Sequence, residues 1–195
     1  MRTKNKATAT SAPTVAQLEE ELKRETYRRR YNRVLRSTVY TLITVAAVLV
    51  ATLFLPVLRI YGTSMTPTTT DGDIVVSVKE GNFERGDIIA FWFNNKILVK
   101  RVIARAGEWV DIDGDGNVSI NGEPLDEPYL TEKALGECDI ELPYQVPDGR
   151  LFVMGDHRST SSDSRSSAVG CVAEEQIVGK LVFRVWPLDG FGTLK

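Results

Sequence analysis

Residues 38–58, TVYTLITVAAVLVATLFLPVL, contain no charged side chain, and Arg36 and Arg59 bracket them. An α-helix needs about 20 such residues to cross the hydrocarbon of a bilayer. A buried core helix would instead show polar positions along one face. A cleaved leader would have a shorter apolar run, about 7–15 residues, followed by an A-x-A-like site of small residues. Neither pattern is found, so the run predicts a retained transmembrane helix over 38–58. Pro56 is tolerable there because it falls near the helix end, close to the interface.

Charge sets the expected orientation. Residues 1–37 hold ten Lys/Arg against four Glu, a net of +6, whereas the remainder holds 14 basic and 22 acidic residues, a net of −8. Basic flanks stay in the cytoplasm, which places the N-terminus inside and residues 60–195 outside. The same block could in principle bind nucleic acid, but its position against the span already accounts for it, and no nucleic-acid partner is expected. Residues 1–14 are polar and read as disordered. Residues 15–37 are rich in helix formers, with Val15, Leu18 and Leu22 at helical spacing, and read as a basic cytoplasmic helix.

Beyond the span the period changes. GDIVVSV, DIIAFWF, KILVKRVIA, EWVDI, NVSI, LFVM and CVAEEQIVGKLVFRVW are short runs rich in Val, Ile, Phe and Trp, punctuated by Gly, Asn and Asp. This predicts a mainly β, antiparallel domain over 60–195. A small β-rich excursion is expected over about 108–146, and its part from 121 to 146 carries three Pro. DIDGDGNVSINGE matches four positions of a calcium loop, at Asp111, Asp113, Asp115 and Gly116, but position 12 is Gly122 rather than Glu. A hairpin with a DGDGN turn fits better.

Three stretches could carry chemistry. Ser64 stands in YGTSMTPTTT, directly after the span. Lys100 stands in KILVKRVIA with apolar neighbours at both parities. Leu98, Lys100, Val102 and Ala104 would share one strand face, and Ile97, Val99, Arg101 and Ile103 the other. Burial disfavours the charged form of Lys, so Lys100 is a candidate neutral base. The alternative is a snorkelling Lys on an edge strand. Arg101 stays charged and needs water or an anion. The loop GDHRSTSSDSRSS, residues 155–167, reads either as a flexible polar loop or as a hydrogen-bonding shelf locked by an Asp163–Arg165 pair. His157 is the lone histidine, so a Ser-His-Asp triad would have to use it. Without it, a Ser nucleophile can use Lys. Cys138 and Cys171 could pair outside the cytoplasm or stay free.

Together these stretches are similar to the motifs of bacterial type I signal peptidases, membrane-anchored serine proteases with a Ser/Lys dyad. SMTPT at 64–68 resembles the family's nucleophile motif and GDIVV at 72–76 its next box. KRVIARAGEWV at 100–110 resembles the box that opens with the general base. GDHRSTSSDSR at 155–165 resembles the box written GDNRxxSxDSR. The resemblance implies Ser64 as nucleophile, Lys100 as base, Ser161 as the hydroxyl that orients the base, and Asp163 and Arg165 as a supporting ion pair. It implies Met65 as a wall of the substrate pocket, no metal and no cofactor. The implied partners are secretory preproteins and the lipid membrane, with cleavage after small residues at −1 and −3. It also implies a catalytic domain tethered near the outer membrane surface, since six residues from Leu58 to Ser64 reach about 20 Å at most. Some members supply an oxyanion-hole Ser two residues before the nucleophile, where this chain has Gly62. Thr69 and His157 replace the family's usual Leu and Asn, and neither is expected to touch the dyad.

Overall fold

The computed structural model describes residues 15–79 and 81–194; the expected disordered N-terminus lies outside them. Two compact units divide the chain, residues 1–50 and 51–195. The first contributes most of a single helix, α1 (Val15–Phe54). The expected cytoplasmic helix and span are thus one continuous helix with no break near residue 37. Leu42, Ile43 and Val48 of α1 are exposed. The segment Val15–Val50 has the length and composition to cross a membrane.

The helix does not reach residue 58. Pro56 lacks the N–H that would continue it, and Val57–Arg59 form strand β1, paired antiparallel with β2 (Ile74–Val78) through Leu58 and Val75. The β domain therefore begins inside the apolar run. The Ser77 amide and hydroxyl both donate to the Pro56 carbonyl, at 2.9 and 3.1 Å, and fix this junction.

The main sheet adds β3 (Ile88–Phe93), β4 (Lys96–Ala104), β9 (Arg150–Met154), β10 (Val172–Ala173), β11 (Ile177–Trp186) and β12 (Gly192–Thr193). Its order is β1-β2-β11-β3-β4-β9-β10, with β12 against β11, and every pairing is antiparallel. The second sheet is the excursion: β5 (Trp109–Ile112), β6 (Val118–Ile120), β7 (Glu123–Pro124) and β8 (Tyr144–Gln145), ordered β7-β6-β5-β8. The β5–β6 turn is the expected hairpin. Asp113 Oδ1 accepts the amides of Asp115 and Asn117 at 3.0 and 2.8 Å, an Asx-type closure that uses the carboxylate for the turn.

The middle of the main sheet, through most of β3 and the second half of β4, is buried on both faces, as these near-continuous apolar runs require. Along β3, Ile89 and Phe91 join a cluster with Phe83, Val102 and Val153. Ile88 and Ala90 join the opposite cluster, with Ile60, Met65 and Val75. A third cluster holds the second sheet against the end of β4 and β9, through Val110, Val118, Ile120, Phe152 and Met154. The expected alternation in β4 holds only to Val102. A register shift between Val102 and Ala104 against β9 is a bulge that re-aims the strand, and Ile103 and Ala104 both fall in the third cluster. Cys138 and Cys171 stand as free thiols, Cys171 within that cluster.

Candidate active site

β4 lies between β3 and β9, so the snorkelling edge-strand alternative for Lys100 does not apply. Lys100 pairs with Ile89 in the β3–β4 register, which points its side chain toward an apolar face. The residue is 3 % exposed. Burial in this apolar layer lowers its pKa from an ordinary 10.5 to about 8; Asp163 opposes the drop, Arg165 adds to it, and Asp156 opposes it. Its ammonium nitrogen donates to Ser161 Oγ at 3.0 Å.

Ser64 is half-buried, in a tight turn that follows Ile60 of the β1–β2 connection. The Thr66 amide donates to the Thr63 carbonyl at 3.1 Å and the Thr69 amide to the Met65 carbonyl at 2.9 Å. Gly62 takes φ +92°, a left-handed conformation open to glycine at no steric penalty. Its amide donates to Asp71 Oδ1 at 2.8 Å, so this N–H is engaged within the turn. Among the described residues, the Ser64 amide donates to no acceptor.

Two cavities meet at Ser64. One, about 410 Å³, is lined by Leu58, Ile60, Met65, Ile97 and Val99 and is mostly apolar. The other, about 520 Å³, is lined by Lys100, Lys96, Leu98, Phe93, Ser162 and Val169. Ser64 and Lys100 thus face one cavity, with no direct hydrogen bond between them. Met65 is buried against Val75 and Ile88 while lining the apolar cavity.

The loop after β9 is a shelf. Asp163 and Arg165 are both buried and joined by bonds of 2.8 Å from Nε and Nη2. Asp163 Oδ2 also accepts the Gly155 amide at 2.9 Å, and Arg165 Nη2 reaches the carbonyls of Arg158 and Ser161 at 2.9 and 3.3 Å. The same shelf touches the Ser64 turn: the His157 amide donates to the Ser64 carbonyl at 3.0 Å, and the Ser161 amide to the His157 carbonyl at 3.1 Å. Position 157 therefore contacts Ser64 through its backbone, contrary to expectation. Thr69 is fully buried, and its hydroxyl has no hydrogen-bond partner among the described residues.

Gly155 escaped sequence reasoning. A Cβ there would lie 2.5 Å from the Ser64 carbonyl oxygen and 2.2 Å from Ser161 Oγ. The close approach of turn and shelf thus depends on its missing side chain. Arg101 finds its anion in Asp156, with bonds of 2.9 and 2.7 Å, and also donates to the Gly86 carbonyl at 2.8 Å. Thr68 Oγ1 donates to the same carboxylate. The signal was the paired cation at 100–101; which carboxylate answers it depends on tertiary contact.

The family model described as "Signal peptidase, peptidase S26" matches residues 32–186. Signal peptidase IB of Staphylococcus aureus (strain COL) is 38% identical over 152 residues, covering 68% of this chain and 78% of that protein. Signal peptidase I of Bacillus licheniformis is 36% identical over 160 residues, covering 75% and 84%. The crystal structure of a signal peptidase I from Enterococcus faecalis V583 matches at 32% identity and a TM-score of 0.45, covering 51% of this chain and 97% of that one. By the span of the family match and the length shared with these relatives, the chain belongs to the signal peptidase family, peptidase S26, as a serine endopeptidase.

Proposed function

We propose that this enzyme removes signal peptides with Ser64 as nucleophile and Lys100 as general base, anchored by α1 with its catalytic domain outside the cytoplasm. The observation that carries this reading is a lysine held in the middle of a sheet, 3 % exposed and bonded to Ser161 Oγ, on a cavity that Ser64 also lines.

Neutral Lys100 takes the proton of the Ser64 hydroxyl, and Ser64 Oγ attacks the scissile carbonyl. The unengaged Ser64 amide is a donor for the developing oxyanion. Lys100, now an ammonium, protonates the leaving amine; water then enters and is deprotonated in the same way to release the acyl group. Ser161 fixes the Lys100 rotamer throughout. The apolar cavity beside Met65 receives the small side chains before the cut. Asp163 and Arg165 hold the shelf that carries Ser161. The exposed apolar surface of α1 supports membrane anchoring, and its basic block supports a cytoplasmic N-terminus.

The test is cleavage of a preprotein bearing an A-x-A site by the full chain in detergent. A single cut after the small residue is expected, abolished in Ser64→Ala and in Lys100→Arg, because Arg cannot act as a neutral base. An active Lys100→Arg enzyme refutes the base assignment. No cut by the parent chain, in detergent or in lipid, supports a non-catalytic envelope domain instead.

A further inference from the structure

The excursion contributes a carboxylate that the scheme above does not use. Glu127 follows β7, in the Pro-rich stretch beyond the second sheet, and its side chain is buried. Arg158, on the shelf, donates to both Glu127 oxygens, at 3.2 Å from Nη1 and with a shorter contact from Nη2. Arg158 Nε also donates to the Gly155 carbonyl at 3.2 Å. The neighbouring His157 amide is the one that holds the Ser64 carbonyl.

A second arm starts from the same carboxylate. Tyr129 donates its hydroxyl to Glu127 Oε1 at 2.8 Å. The Tyr129 ring lies under the Arg101 guanidinium, 3.9 Å from ring centroid to Cζ, a close cation–π stack. Arg101 is adjacent to Lys100 in β4 and grips Asp156, to which Thr68 of the nucleophile turn also donates. Each end of the Glu127–Tyr129 unit therefore reaches a group one residue from the dyad or from its backbone contacts.

Resting on the Ser/Lys reading, we propose that Glu127 and Tyr129 are positioning residues, through which the second-sheet excursion sets the distance between Ser64 and Lys100. Arg158 fixes the shelf side and Arg101 the strand side. The planar guanidinium groups make the contact directional, since each binds a carboxylate in a fixed fork.

Removing one ion alone leaves its partner buried and unpaired, so Glu127→Gln tests folding as much as position. The informative variant is Glu127→Met with Arg158→Met, which replaces the pair by apolar groups of similar volume. Tyr129→Phe is the second variant; it keeps the ring on Arg101 and deletes the hydroxyl donor. Full-length enzymes in detergent are assayed on one A-x-A preprotein, with kcat and KM separated and thermal unfolding recorded.

For the double variant, kcat falls about 30-fold or more with KM within about 3-fold, in line with the sensitivity of catalysis to small displacements, while the unfolding midpoint moves by only a few degrees. Tyr129→Phe gives a smaller fall in kcat, about 3- to 10-fold, with the same KM. A folded double variant with kcat within about 3-fold of the parent overturns the proposal. If the double variant does not fold, an unchanged kcat in Tyr129→Phe overturns it. Ser64→Ala is run alongside: its retention of cleavage sinks the Ser/Lys reading, whereas a dead Ser64→Ala beside fully active Glu127→Met/Arg158→Met and Tyr129→Phe variants sinks only the positioning role.

Discussion

Replacing Lys100 with Met should stabilise the β domain while removing activity. Lowering the Lys100 pKa from 10.5 to about 8 means that the folded state resists the proton the unfolded chain accepts. At about 1.4 kcal/mol per pH unit, the charged form weakens the fold by about 3 kcal/mol. The sign follows from proton counting. Between pH 8 and 10.5 the unfolded chain binds more protons at this residue than the folded one, so its contribution to stability rises with pH across that window. Below pH 8 the full penalty is present; above 10.5 it is gone.

Met is unbranched, close in length and without charge, so it fits the site between Ile89 and Val102. It forfeits the bond to Ser161 Oγ, 3.0 Å in the parent, worth about 1 kcal/mol. The expected net gain at pH 7 is therefore about 2 kcal/mol. Urea unfolding of full-length parent and variant in the same detergent, from pH 6.5 to 10, measures it. The difference should be level up to pH 8 and shrink above it. A variant no more stable than the parent at pH 7, or a difference that stays constant to pH 10, refutes the burial account of Lys100.

Other outcomes follow from the same geometry. Initial cleavage rates at saturating substrate should rise from acid with a midpoint near pH 8; the neutral fraction drops from half to about 1% at pH 6, a fall of about 50-fold, and a midpoint below 6.5 would assign the limb to another group. Gly155→Ala places a carbon 2.5 Å from the Ser64 carbonyl oxygen and 2.2 Å from Ser161 Oγ; turn and shelf must separate, and kcat should drop about 10²-fold. Thr69→Val replaces a fully buried, unpartnered hydroxyl with an isosteric methyl, and urea unfolding should show a gain of about 1 kcal/mol with unchanged kcat.

How much of this was legible in the sequence varied with range. Short β-branched and aromatic runs bounded by turn residues are local signals, so β2, β3, β4 and the β5–β6 hairpin could be read from their own residues. The end of α1 could not. Val57 and Leu58 are as apolar as the span before them, and only pairing with Val75 and Val76 of β2 makes them strand. Lys100 and Arg101 announced themselves as consecutive cations in an apolar strand, but whether β4 was central or an edge depended on β9, about 50 residues away. Gly155 carries no local mark, because its reason is steric and belongs to Ser64 and Ser161. Glu127 and Tyr129 sat in a Pro-rich stretch with no period, and only Arg101 and Arg158 give them meaning. Local chemistry thus marked Ser64 and Lys100 as candidates, and non-local packing decided what surrounds them.

The ions around Lys100 also explain why burial governs its titration. Asp163 and Asp156 raise its pKa, and Arg165 lowers it. Asp163 is paired with Arg165, and Asp156 with Arg101, so each carboxylate stands beside its own counter-charge. An unpaired carboxylate beside the lysine would push its pKa back up, and an unpaired guanidinium would push it further down. With the surrounding charges in pairs, the deciding influence is the apolar layer of Ile89, Phe91 and Val102, which cannot solvate an ammonium. The buried ion pairs of the shelf therefore do two things for one residue: they fix Ser161 beside it and keep net charge away from it.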